Sequence, residues 1–215
     1  TGVQTCALPI SLILCLDCPD FYVREAAAQS LGMLGDSSSI PKLMKLLEGG
    51  LAKAMPIPGC PHLAQPYNAM IEALGSLSAK EAIPLIEPFL EHPNELEQYA
   101  AARAMYQLTG NPTYGDRLIK ALGGEQLQLR RAALSDLGAI GYLPAAEAIA
   151  ETLAENSLKL ISLKGILEYQ IKNHSWESQS VAEAVIKLMN LMDDLLWNLE
   201  NRESREDGYW FMQVL

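Results

Sequence analysis

The chain has 215 residues, 49 % of them hydrophobic and 20 % charged, a length and balance that suit one domain with a continuous core. Sixteen basic against 26 acidic residues give a net charge of −10. That sign, with no cluster of Lys and Arg, excludes binding to a phosphate backbone. No apolar run is long enough to cross a bilayer, and the short apolar stretch Ala7 to Leu16 lacks the basic flank of a signal peptide. Few cysteines and no regular cysteine framework fit a reducing, cytoplasmic setting.

Residues 1–10 read as the in-frame translation of a sequencing-library adapter. Natural sequence is therefore expected from Ser11 onward, in a fragment whose own N-terminus lies upstream, and Cys6 carries no biological information. Cys15-Leu16-Asp17-Cys18 has the spacing of a redox or zinc half-site. A structural zinc needs four ligands, and the other candidates form only Cys60-Pro61-His62, so the spacing is read as coincidence and no metal site is expected.

The first hairpin opens with Asp20 as N-cap and Ala26 to Leu34 as a buried helical stripe. Gly35 to Ser39 forms its turn, and Pro41 starts the return helix toward Gly49-Gly50. Gly49 to Ala64 follows as an insertion too rich in proline for a helix interior. The second hairpin takes Tyr67 to Leu77 and Pro84 to Leu90, and the third takes Glu97 to Leu108 and Tyr114 to Leu122. The fourth uses Leu127 to Ile140 and Pro144 to Ala154. Ser157 to Lys172 and Val181 to Leu196 make a fifth, joined through the polar turn Asn173-His174-Ser175. The repeat domain is thus expected over 11–200, and the polar stretch from Asn201 begins a frayed tail over 201–215, in which Tyr209-Trp210-Phe211 has no periodic context.

One phrase recurs through these hairpins: small residues, then Leu-Gly-x-Leu, a turn, and often Ile/Leu-Pro. Its anchors are Leu31, Leu74, Met105 and Leu137, at steps of 43, 31 and 32 residues. A period near thirty predicts an all-α chain, an α-solenoid of stacked hairpins that bury their apolar faces against one another. The long first step locates the insertion, and insertions in solenoids emerge as loops on one face. Gly32, Gly75 and Gly138 follow their anchors in mid-helix, where glycine costs about 1 kcal/mol against alanine. The spacing predicts that a neighbouring helix passes too close for a side chain at these positions. Tyr106 stands there in the third copy and is expected to protrude or to fill a gap.

Val23-Arg24-Glu25-Ala26-Ala27 and the Leu-Gly-x-Leu phrases resemble the short HEAT-like repeats of phycobilisome lyases. Gln98 to Thr109, Leu127 to Ile149 and Leu153 to Glu168 are more specific, and resemble the E subunit of the E/F-type phycocyanobilin lyases. The likeness spans about Asp20 to Leu196. It implies a heterodimer with an F subunit that attaches phycocyanobilin, an open-chain tetrapyrrole substrate, to a cysteine of the phycocyanin α subunit. The acceptor thiol belongs to the substrate protein, so the lyase acts chiefly by holding the bilin beside it, with no permanently bound cofactor and no catalytic residue identified in this chain.

A bilin offers two propionates and four ring nitrogens on a flat apolar frame. Arg103, Arg130 and Arg131 suit the propionates, Asp136 suits the N–H groups, and Tyr106 is a stacking or walling group. The structural alternative is a repeating salt-bridge ladder, because Arg24 and Arg130 share a repeat position. Asp136 has no acidic counterpart, since Ser30, Ala73 and Ala104 stand in the other copies. His62 in the insertion is expected to be solvated, His92 before Pro93 to cap a helix, and His174 to sit in a polar turn. Neither a Ser-His-Asp order, a glycine-rich phosphate loop nor H-E-x-x-H occurs. The alternative function is a non-catalytic repeat scaffold, a chaperone of phycobiliproteins or an agent of phycobilisome turnover. An unrelated acidic adaptor is the third reading.

Overall fold

A computed structural model describes residues 3–173 and 182–197. Among the described residues the regular structure is helical and no strand occurs, as the repeat period predicts. The chain divides after Arg117 into two compact units.

The first unit opens with α1 (Val3–Cys15) and α2 (Phe21–Leu34), which pack together. Asp20 caps α2 as expected: its carboxylate accepts from the Tyr22 and Val23 N–H groups at 2.8 and 3.2 Å. Gly35, at φ 70°, ends the helix in the left-handed conformation that glycine adopts without strain. A 3₁₀ turn leads into α3 (Ile40–Leu47), with Pro41 in its first turn, where the missing N–H leaves no bond unmade. The insertion is helical for one turn, α4 (Gly50–Lys53), and irregular over 54–66. Its ends are anchored, since Ala54 and Leu63 are buried.

After α5 (Tyr67–Ser76) the return helix expected over Pro84 to Leu90 is broken. It is α6 (Ile83–Ile86) followed by a 3₁₀ segment, Glu87–Glu91. Pro88 is the cause: it has no N–H for the carbonyl four residues back, and its ring crowds that carbonyl. The unit continues with α7 (Glu95–Thr109) and enters α8 (Pro112–Leu122).

Helices α2, α5 and α7 lie side by side, and their anchors Leu31, Leu74 and Met105 are buried. Full burial of a leucine of this kind contributes about 1.5–3 kcal/mol. The glycines fit between them as the spacing predicts. A Cβ on Gly32 would lie 2.9 Å from Ala73 Cα, and one on Gly75 would lie 2.9 Å from Ala104 Cα. Both approaches are to backbone, which cannot swing aside. Tyr106 is half-buried in the equivalent place on α7.

The second unit repeats this scheme with α9 (Leu127–Ile140), a 3₁₀ turn, α10 (Ala146–Glu151), α11 (Asn156–Asn173) and α12 (182–197). α10 is shorter than the expected Pro144 to Ala154. Its first turn is 3₁₀, and the chain is extended at Thr152, whose hydroxyl donates to the Leu122 carbonyl at 2.7 Å. Gly138 again meets a neighbour's backbone, at 2.9 Å from Ser162 Cα, and α9 with α11 forms the main packing of the unit. The expected polar turn beyond Asn173, including His174, and the tail 201–215 lie outside the described residues.

Candidate functional site

The close packing of α2, α5 and α7 shapes a cleft. Gly32 and Ala73 leave its floor low, and Met33, 82 % exposed, stands at its edge. The cleft encloses about 250 Å³. Arg103 reaches it from α7, with its guanidinium 3.4 Å from the Glu72 carboxylate of α5. The lining mixes small apolar residues with Gln29, Ser76 and the Arg103–Glu72 pair, so it offers a cation already matched by a carboxylate. Tyr106 lies three residues further along α7, on the same side of that helix as Arg103. Glu72 carries no repeat signature, and the sequence reading missed it. The signal available was its separation of 31 residues from Arg103, one repeat.

The other three predicted residues sit on α9 in the second unit. Arg131 pairs with Glu155 at the surface. That hydrogen bond holds the Glu155 carboxyl below the usual carboxylate range and raises Arg131. Asp136 is 6 % exposed, on the helix packed against α11. The five predicted residues therefore form a pair on α7 and a triplet on α9.

Arg130 has a structural role, though not in the expected salt-bridge ladder. It donates to the carbonyls of Gly124, Glu125 and Leu153. Arg24 does the same with the carbonyls of Cys18, Pro19 and Ala64. Gln98 donates to the His92 carbonyl at 2.6 Å, and Lys159 to that of Ala150 at 3.0 Å. All four are the fourth residue of their helix: α2, α7, α9 and α11. The ladder is thus made of side chains that bind main-chain carbonyls of adjoining connections and of the last turn of the preceding helix, groups a helix array leaves unmet.

His62 departs from its expected solvation, whereas His92 ends a helix as expected, its N–H closing the 3₁₀ segment on the Phe89 carbonyl at 3.1 Å. His62 stacks on Phe21, with ring centroids 4.2 Å apart. His92 is fully buried and pins the insertion: its Nε2 donates to the Ala54 carbonyl at 2.8 Å, while Nδ1 accepts from the Asn94 N–H at 3.0 Å. Cys15 and Cys18 are half-buried thiols and Cys60 is exposed. Among the described residues no three His, Cys, Asp or Glu side chains gather as metal ligands, and no helix is long and apolar enough to cross a membrane.

The repeats match known families. Residues 67–138 match HEAT repeats, and 23–49 match the PBS lyase HEAT-like repeat. The chain is 62 % identical over 185 residues to the phycocyanobilin lyase subunit alpha of Nostoc sp., which covers 86 % of this chain and 67 % of that one. It is 56 % identical to the subunit alpha of Picosynechococcus sp., covering 86 % and 68 %. The chain belongs to the phycocyanobilin lyase alpha-subunit family. A solved structure described as the complex of CpcE and CpcF of phycocyanin lyase, from Nostoc sp., contains a similar chain. The TM-score is 0.80 at 60 % identity, covering 87 % of this chain and 67 % of that one. The bilin biosynthesis protein PecE of Nostoc sp. is more distant, at 40 % identity over 88 % of this chain and 69 % of that one. As a member of the lyase family, this chain is a bilin lyase subunit with the α-solenoid fold of HEAT-like hairpins.

Proposed function

We propose that this chain joins an F-type helical-repeat subunit, and that the pair attaches phycocyanobilin to a cysteine of the phycocyanin α subunit in the cytoplasm. The observation that carries this is 62 % identity to a phycocyanobilin lyase alpha subunit across 86 % of the chain. The likeness to a chain solved as a complex of CpcE and CpcF supports the partner.

The reaction is an addition. The acceptor sulfur bonds to one carbon of the bilin's ethylidene double bond, and the thiol proton ends on the other carbon. Nothing is oxidised, and phycocyanobilin is substrate rather than resident cofactor. The task left to this chain is orientation. A flat, flexible tetrapyrrole held in one conformation beside the thiol reacts as though the two were at high local concentration. In this reading Arg103 takes a propionate at the α2/α5/α7 cleft, with Tyr106 beside it on α7. On α9, Arg131 is the candidate for a propionate and Asp136 the candidate for ring N–H groups. Arg130 shapes the loops around them through its three carbonyl bonds.

The test is co-production of the chain with an F-type subunit, phycocyanobilin and the apo-phycocyanin subunits. Bilin that stays on the α subunit after denaturation supports the proposal. If the chain binds the F subunit and bilin stays extractable, the scaffold reading replaces it.

A further inference from the structure

A second cleft, of about 270 Å³, lies between the insertion and the N-terminal ends of α2, α5 and α7. It shares no lining residue with the Arg103 cleft. Glu97 lines it at 5 % exposure, and its Oε2 has no hydrogen-bond partner. The Gln65 side-chain oxygen lines the same cleft, buried and equally without a partner. Glu25 adds a second carboxylate to the lining, which contains no Lys or Arg among the described residues. The Phe21–His62 stack and Leu96 supply apolar wall.

The orphaned oxygen has a cause in the sequence. Asn94-Glu95-Leu96-Glu97 is a capping box, in which the glutamate three residues after the cap normally accepts from the cap's own N–H. The first half is present: Asn94 Oδ1 accepts from the Leu96 N–H at 3.0 Å. The second half is pre-empted, because the Asn94 N–H donates to His92 Nδ1 instead. His92 cannot compensate, since its Nδ1 already accepts that bond and stands 3.9 Å from Glu97 Oε2. Two buried acceptor oxygens without donors are costly unless something supplies the donors.

We propose that this cleft is a binding site for an organic cation, a guanidinium or alkylammonium group, with Glu97 Oε2 and the Gln65 amide oxygen as acceptors. The Phe21 ring already takes the Arg24 guanidinium, 5.8 Å from its centroid, so the cation is held by Glu97 and Gln65 rather than by stacking on Phe21, and the volume accommodates a single amino-acid side chain. The cation comes either from free arginine or from an arginine or lysine side chain of a docking polypeptide.

The test is isothermal titration of the full chain with N-acetyl-arginine amide, N-acetyl-lysine amide, free L-arginine and N-acetyl-citrulline amide. Citrulline keeps the shape of arginine without its charge. Saturable one-to-one binding of a capped cation, with none for the citrulline compound, supports a polypeptide side chain as the source. Binding of free arginine alone supports the small molecule. Glu97→Gln, which keeps the volume, weakens that binding about ten- to a hundredfold. Gln65→Leu weakens it less, and thermal melts confirm that both variants fold. The site is overturned if none of the cations saturates, if citrulline binds as well as arginine, or if folded Glu97→Gln binds undiminished.

Discussion

At Gly75, Gly138 and Glu97 the effect of a few atoms can be followed to a measurable result. Gly75→Ala adds a Cβ 2.9 Å from the Ala104 backbone and 2.5 Å from the Gln107 amide oxygen. Alanine gains about 1 kcal/mol of helix propensity, but overpacking against backbone costs about 1–3 kcal/mol. Net destabilisation is expected in urea unfolding, whereas Ala139→Ser, on the exposed side of α9 beside Gly138, leaves the midpoint in place. A rise in stability for Gly75→Ala contradicts the close-approach account. Glu97 makes a pH prediction. Burial raises its carboxyl above the ordinary value, more than its own amide N–H and His92 lower it. The folded chain then binds the proton more tightly than the unfolded chain does. This contribution to stability is full below the ordinary carboxylate value and is lost as pH rises through the raised one. Glu97→Gln removes that fall, so the stability of parent and variant, measured across acid to neutral pH, diverges in that window. Parallel curves refute it.

The four long polar side chains that open α2, α7, α9 and α11 act at the scale of the element. Arg24, Gln98 and Arg130 tie their helices to carbonyls of the preceding connection, and Lys159 ties α11 to the last turn of α10. Arg130 makes three such bonds, so Arg130→Ala costs about 1.5–3 kcal/mol, and Arg130→Gln recovers part of it because Gln98 does the same work on α7. Guanidinium chloride unfolding of the three proteins checks the order. A neutral Arg130→Ala removes the structural role and returns the residue to the bilin. The inserted segment is held the same way, by His92 and Tyr67 bonding the carbonyls of Ala54 and Lys53. Proteolysis is expected within the exposed run from Met55 to Pro61 before any cut inside α9.

The whole molecule is tested through transfer of the bilin. The acceptor thiol in the proposed reaction belongs to phycocyanin, so Ser at Cys15, Cys18 and Cys60 together leaves most attachment activity with the F partner intact. Asp136→Asn instead slows attachment about ten- to a hundredfold, because an amide cannot balance charge on protonated ring nitrogens. Rates of bilin attachment, with melts as the folding control, separate the two. A dead cysteine-free protein beside a normal Asp136→Asn variant refutes the positional mechanism.

The first helix of each hairpin, their order and the close packing at the glycines were legible in the sequence because the repeat imposes them locally, whereas the return helices of the second and fourth hairpins came out broken or shorter. A period near thirty, a capping aspartate and a glycine after three of the four anchors state which face is buried and how near the neighbour comes. The Arg24 and Arg130 equivalence was legible too, but its chemistry was not. Whether a guanidinium meets a carboxylate or a carbonyl depends on where the loops return, and loops carry no period. Glu72 opposite Arg103, and Glu97 displaced from its capping box by His92, were decided only by tertiary structure. Glu72 lies on a different helix from Arg103, and His92, two residues before Asn94, is held in place by the bond its Nε2 makes to the Ala54 carbonyl of the insertion, a contact that only packing supplies.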